Sequence, residues 1–175
     1  MIAEGRLMTA TRMSLLLVLA LTFQLGVASR IEVLGVQGDI MLLVAIAAGL
    51  AAGPDRGATI GFAAGMSFDL LLQSPFGLSA LTYALVAYSV GSLQDSVLRA
   101  AWWIPVTTAV AASAVGVILY GVFGTMLGQD LLELSLVRIA LVVATLNALA
   151  APLVLRAVRW ATGTSEGVRA RAMMR

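Results

Sequence analysis

The sequence predicts an all-α membrane protein, a polytopic bundle of six transmembrane helices with both termini in the cytoplasm. Of its 175 residues, 61% are apolar and 11% charged, and the mean hydropathy of +1.00 is too high for an ordinary soluble domain. The charges fall in short clusters separated by long neutral stretches, as expected when spans alternate with loops. We therefore expect a cytoplasmic N-terminal segment over 1–12, one transmembrane domain over 13–160 and a flexible basic cytoplasmic tail over 161–175.

Six apolar segments account for the predicted spans, and each is bounded by charged residues or by proline and glycine. The first is followed at once by further apolar segments, which argues against a cleaved signal peptide. The approximate bounds are 13–29, 40–53, 58–72, 78–93, 100–129 and 134–155. The turn Pro54-Asp55-Arg56-Gly57 is expected to break the helix between the second and third segments. If these two form one re-entrant hairpin, the count is five.

The arginines determine the expected orientation, since the chain has no lysine and no histidine. With six spans and a cytoplasmic amino terminus, nine arginines lie inside, and only Arg30 and Arg138 lie outside. The inverted orientation would reverse this bias. Four acidic residues then fall on the outer side: Glu32, Asp39, Asp130 and Glu133.

The third predicted span carries glycines four residues apart and ends near a carboxylate. Gly57, Gly61 and Gly65 let another backbone approach closely, and packing inside the bundle is favoured over an intermolecular interface. Asp69 lies about 18 Å along the helix axis from Gly57, in the outer half of the bilayer. There it either reaches the outer headgroups or pairs with Arg138 of the last span. Ion transport is disfavoured, because such a path normally needs more than one intramembrane ionisable group.

Other polar residues within the spans have modest expected roles. Gln24 and Asn147 are expected to form hydrogen bonds between helices. Tyr83 and Tyr88, both on the fourth span, either line a cavity or pack in the bundle. The basic tail is interpreted as a topology anchor, in preference to a site for anionic lipid.

Enzymatic chemistry finds no support in the sequence. The absence of cysteine and histidine removes thiol and imidazole catalysis, and the serines have no lysine or histidine to act as their base. There is neither a phosphate-binding glycine loop with lysine nor a dinucleotide fingerprint. We predict no catalytic residue, no cofactor, no metal site and no nucleic-acid partner.

The pattern of glycines, aspartates and tyrosines between about 33 and 93 resembles the family of rod shape-determining protein MreD. The residues that carry the resemblance are Gly38 to Val44, Gly53-Pro54, Gly57, Gly61-Phe62, Gly65 to Asp69, Gly77-Leu78, Ala80-Leu81, Tyr83, Tyr88 and Gly91. Gly38 stands where family members commonly have proline. Among the matching positions are Asp39, Gly61, Gly65, Asp69, Gly77, Tyr83 and Tyr88, which with Gly57 and Arg138 are the candidate structural or partner-interface residues.

The resemblance implies a non-enzymatic component of the bacterial elongation machinery in the cytoplasmic membrane. Such proteins associate with the bitopic protein MreC, and the pair regulates a RodA-type glycosyltransferase and a class B penicillin-binding protein, in coordination with MreB. The implied fold is a six-helix bundle similar to the S component of energy-coupling-factor transporters.

That likeness supplies an alternative function, a substrate-binding subunit for uptake of a vitamin or metal. Such subunits commonly dock through an alanine-x-x-x-alanine surface on the first helix. Here the first span has Ala20 and Ala28, eight residues apart, whereas Ala47 and Ala51 have the spacing on the second span. Docking of that kind is therefore disfavoured.

Overall fold

The protein is described by a computed structural model over residues 2–27, 30, 32–71, 76–94, 103–128 and 135–163. These ranges contain six helices of 13 residues or more and one short hairpin, which confirms the helical class. The helices are α1 (Ile2–Gly26), α2 (Ile40–Ala52), α3 (Pro54–Asp69), α4 (Leu78–Ser92), α5 (Ile104–Met126) and α6 (Ser135–Ala161); the strands are β1 (Glu32–Val33) and β2 (Val36–Gln37). Of the polar connections between the predicted spans, residues 95–99 and 130–133 lie outside the described residues, as does the tail from 164 onward.

Among the described residues, three of the six helices are long and apolar enough to cross a bilayer. They are the Met8–Gly26 part of α1, α5 and α6. The other three, α2, α3 and α4, have 13, 16 and 15 residues. At 1.5 Å per residue they extend about 20 to 24 Å, less than a hydrocarbon core of about 30 Å. Six complete spans and the location of the termini therefore stay predictions.

The short helix α2 forms the centre of the bundle. Eleven of its 13 residues are buried, from Met41 to Ala51. It contacts each of the five other helices that the structure describes. A helix that is apolar on every side can be placed only where neighbours surround it. The core of the protein is thus built around α2.

The connection between α2 and α3 is tighter than predicted. Gly53 alone reverses the chain, with a φ of +85° that favours glycine, and α3 begins at once with Pro54. The predicted start of this helix at residue 58 is therefore wrong. Proline is well tolerated at the first helical position, because its missing N–H would have no partner there. A proline after a glycine can thus start a helix as well as break one.

The two terminal helices extend beyond the predicted apolar segments. α1 begins at Ile2 instead of residue 13, and α6 continues to Ala161 instead of ending at Leu155. Arginine is a good helix former, so charge alone does not end a helix. The guanidinium of Arg12 lies 5.2 Å from the ring centroid of Trp160, which links α1 to the end of α6 through a cation–π contact.

A two-stranded hairpin between α1 and α2 was not predicted. β1 and β2 pair antiparallel, with Val33 opposite Val36, around a turn in which Leu34 and Gly35 have φ of +55° and +75°. Two successive positive values are typical of the type I′ hairpin turn. Val36 is buried against Val142 and Val143 of α6. The hairpin thus folds back over one end of the bundle.

Candidate functional site

Polar groups of three helices meet where α2 begins. The Asp39 side chain caps α2 by accepting a hydrogen bond from the Leu42 N–H at 2.8 Å. Its other carboxylate oxygen accepts the hydroxyl of Tyr83 on α4 at 2.6 Å. From α1, Gln24 donates to the Gly38 carbonyl at 2.8 Å and accepts from the Ile40 N–H at 2.9 Å. These bonds fix the start of the central helix to α1 and α4, and they bear out the expected interhelical role of Gln24.

A cavity of about 370 Å³ opens beside these groups. Its polar lining includes Gln24, Gln37, Asp39, Tyr83 and Tyr120, and the hairpin, α2, α3, α5 and α6 supply the rest. Tyr83 thus lines a cavity and is buried in the bundle at the same time. The two alternatives for this residue are both realised.

Asp69 ends α3 and caps the next helix. Only 2% of the residue is exposed, and its carboxylate accepts hydrogen bonds from the backbone N–H groups of Gly77, Ser79 and Ala80 at 3.0, 3.3 and 3.2 Å. Gly77, the N-cap residue that precedes α4, has no side chain with which to cap the helix. The carboxylate of another helix takes that role, and its charge lies favourably at a helix N-terminus.

The suggested pairing of Asp69 with Arg138 does not occur. Both residues are described, no ion pair joins them, and Arg138 is exposed on α6 while Asp69 is buried against α4. The physical reason is that the backbone amides at the start of α4 already satisfy the carboxylate. Asp69 also does not project to the headgroups as an exposed helix end.

The glycine row packs inside the bundle. A Cβ at Gly57 would lie 2.6 Å from the Cα of Gly49 on α2, and one at Gly61 would lie 2.7 Å from the Tyr83 carbonyl oxygen on α4. At Gly65 it would meet the Ser79 carbonyl and the Ala80 backbone. No side chain fits such approaches. These three glycines hold α3 between α2 and α4, as the favoured alternative predicted.

A family model described as rod shape-determining protein MreD matches residues 5–154. The chain belongs to the MreD family. No curated protein and no solved structure gave a match. The likeness to transporter S components accordingly stays an expectation.

MreD-family membership establishes the general character of the protein. The family consists of bacterial membrane proteins that determine rod shape and is not a known enzyme family. The helices able to span a membrane agree with that placement. In the part of the chain that the structure describes, no group of three or more acidic residues could hold a metal ion.

The remaining predicted site residues lie apart from the cavity. Tyr88 is exposed on α4, five residues beyond the buried Tyr83. Gly77 has a φ of +92° and starts α4. In this MreD-family chain the candidate residues thus divide into a group around Asp39, a cap at Asp69, a glycine row, and two exposed side chains, Tyr88 and Arg138.

Sequence reasoning missed two buried serines. Ser113 on α5 accepts a hydrogen bond from Asn147 on α6 at 2.9 Å, so the partner of the predicted polar residue is a serine. Ser79 on α4 is fully buried, and its hydroxyl has no hydrogen-bond partner among the described residues. Serine is too common in membrane helices for either position to stand out in one sequence.

Proposed function

We propose that this chain is a non-enzymatic scaffold of the bacterial cell-elongation complex that binds MreC and helps to control peptidoglycan synthesis. The observation that carries the proposal is the match to the MreD family over residues 5–154. The hydrogen bonds between its helices support the proposal. Gln24, Asp69 and Asn147 fasten helices to one another, as a rigid platform requires.

The proposed contact for the membrane helix of MreC is the outer face of α1. In the Met8–Gly26 span 11% of the residues are buried, compared with 28% in α5 and 39% in α6. Large apolar side chains, among them Leu15, Val18 and Leu19, lie exposed along it. Of the long helices, α1 therefore has the largest share of surface free to pack against a partner.

A groove next to α1 adds to this surface. It has a volume of about 770 Å³ and lies between α1 and α3. Met13 and Leu17 line it from one side, and Ile60 and Ala63 from the other. Side chains of a partner helix lying along α1 would fill it. The wider complex, with its RodA-type glycosyltransferase, class B penicillin-binding protein and MreB, would be reached through MreC.

The transporter alternative receives no support from the structure. Ala47 and Ala51, which have the docking spacing, are both buried on the central helix α2. An energising module could not reach them without unfolding the bundle. We therefore do not propose an uptake function.

Cross-linking tests the proposed contact, because the absence of native cysteine makes single cysteine variants unambiguous. Val18→Cys and Leu19→Cys on α1 are compared with Leu149→Cys and Leu153→Cys, which are apolar positions on α6 with even greater exposure. With cysteines placed along the MreC membrane helix, we expect disulfides to the α1 positions alone. Cross-links to α6 alone would refute the α1 surface. If MreC also fails to co-purify with the intact chain, and depletion leaves cells rod-shaped, the scaffold function itself is wrong.

A further inference from the structure

The cavity beside the start of α2 is lined both by polar residues around Asp39 and by apolar side chains. Its volume of about 370 Å³ is within the range of small-ligand sites in proteins, about 300 to 1,000 Å³. Leu42, Phe68, Val117, Ile139 and Val143 form the apolar lining. We propose that this cavity is a binding site for a primary ammonium group carried on a short apolar body.

The charge of the cavity favours a cation. Among the described residues that line it, Asp39 is the one ionisable carboxylate, and there is no arginine. Asp39 is half-buried at the start of α2, and a carboxylate that is partly removed from bulk water with no cation in the described lining is stabilised by a positively charged ligand. The position of Asp39 therefore favours a positively charged group in the cavity over a neutral one and disfavours an anionic group.

The hydrogen bonds of Asp39 leave acceptor capacity for an ammonium. One of its oxygens accepts from the Leu42 N–H and the other from the Tyr83 hydroxyl, and the Met41 N–H also approaches the carboxylate. Because a carboxylate offers about four lone-pair sites, acceptor capacity is left for a ligand. The Tyr83 oxygen, which donates its hydrogen to Asp39, can itself accept a bond. An ammonium has three donors, and these acceptors lie close enough together to receive at least two of them.

Aromatic rings next to the carboxylate also suit an organic cation. The centroids of Phe68 and Tyr83 lie 6.3 Å apart, and both residues line the cavity. Ring faces attract a nearby ammonium through their quadrupole. A bare divalent cation fits less well, because Ca²⁺ and Mg²⁺ require several oxygen ligands around one point, and the described lining offers one carboxylate.

Two sources could supply this chemistry. One is a soluble alkylamine, and the other is the ethanolamine headgroup of a phospholipid whose acyl chains stay in the bilayer. Both carry a primary ammonium, but in the lipid two methylenes join it to a phosphate, so only the ammonium end of that headgroup would enter the cavity. A choline headgroup has the same charge but no N–H donor, so it serves as the control for hydrogen bonding.

Calorimetric titration of the purified full-length chain in detergent tests the proposal, with hexylammonium, 1-hexanol and hexanoate as matched probes. We expect hexylammonium to bind about tenfold more tightly than hexanol, since charge-assisted hydrogen bonds exceed neutral ones by about that factor. A second arm titrates delipidated protein with phosphatidylethanolamine or phosphatidylcholine and detects bound lipid by native mass spectrometry. Binding of ethanolamine lipid without hexylammonium binding identifies the headgroup as the source, and the converse identifies a soluble amine.

Variants locate the site. Asp39→Asn keeps an oxygen that can cap α2 but removes the charge, and we expect the preference for ammonium over alcohol to disappear. Val117→Phe fills the cavity without touching Asp39 and should abolish binding of every probe, which keeps the test valid if Asp39→Asn fails to fold. Asp55→Asn, at an exposed carboxylate on α3, is the control and should bind as the unmodified chain does.

The proposal fails if hexylammonium and hexanol bind equally and neither lipid is selected. It also fails if Asp39→Asn binds ammonium as tightly as the unmodified chain, since Asp39 would then be only a helix cap. Because MreC is absent from these measurements, a negative result leaves the scaffold function untouched.

Discussion

At the scale of single residues, several buried polar groups of this MreD-family chain connect one helix to another. Asp69 caps α4 from the end of α3, and Asn147 joins α6 to α5 through Ser113. Each bond replaces water that a membrane core cannot supply. The contribution of a buried polar group to stability therefore depends on whether it has a hydrogen-bond partner.

Two buried serines test this dependence with the same substitution. Ser79→Ala should leave stability unchanged or raise it, because the Ser79 hydroxyl has no partner among the described residues. Ser113→Ala should destabilise by about 1 kcal/mol, because it removes the acceptor of the Asn147 amide. Thermal unfolding in detergent measures both variants. Equal losses in the two would contradict the assigned bonds.

Asp69 and Arg138 provide a second residue-scale prediction. Asp69→Asn should lower the free energy of unfolding by about 1 to 3 kcal/mol. One carboxylate oxygen becomes an NH₂ group, which cannot accept hydrogen bonds from the backbone N–H groups at the start of α4. Arg138→Gln should be neutral, since that side chain is exposed. The effects in the double variant should simply add. A coupling energy above about 0.5 kcal/mol would restore the ion pair that the sequence suggested.

At the scale of helices and strands, the apolar segments and their spacing predict most of the fold. Long apolar runs predict where the helices lie, and the glycines at 57, 61 and 65 predict close packing of α3. The missed features depend on distances that a sequence does not contain. The cap by Asp69 requires the chain to return to it eight residues later, and strands of two residues are too short for a period-2 pattern.

Glycine substitutions separate rigid from adaptable helix contacts. In Gly65→Ala the new Cβ would lie 2.5 Å from the Cα of Ala80, a backbone atom that cannot move without shifting α4. We expect the free energy of unfolding to fall by about 3 kcal/mol or more, or the variant to fail to fold. In Gly116→Ala the Cβ would meet the tip of the Leu42 side chain at 2.8 Å, and this side chain can turn into the adjoining cavity. The loss of stability in Gly116→Ala should be smaller, because the higher helix propensity of alanine offsets about 1 kcal/mol of it. Unfolding temperatures of the two variants in one detergent provide the comparison.

At the scale of the whole molecule, the orientation in the membrane decides which compartment the cavity faces. The hairpin tip at Leu34 lies at one end of the bundle, and the α2–α3 turn at Gly53 lies at the other, because α2 runs between them. The arginine distribution predicts that the hairpin end is periplasmic and the turn cytoplasmic.

In intact cells a membrane-impermeant maleimide should then label Leu34→Cys, whose parent residue is 71% exposed, but label Asp55→Cys only after permeabilisation. The unmodified chain, which has no cysteine, provides the background. Labelling of Asp55→Cys alone in intact cells would invert the topology, and the cavity would then have to draw its ligand from the cytoplasm.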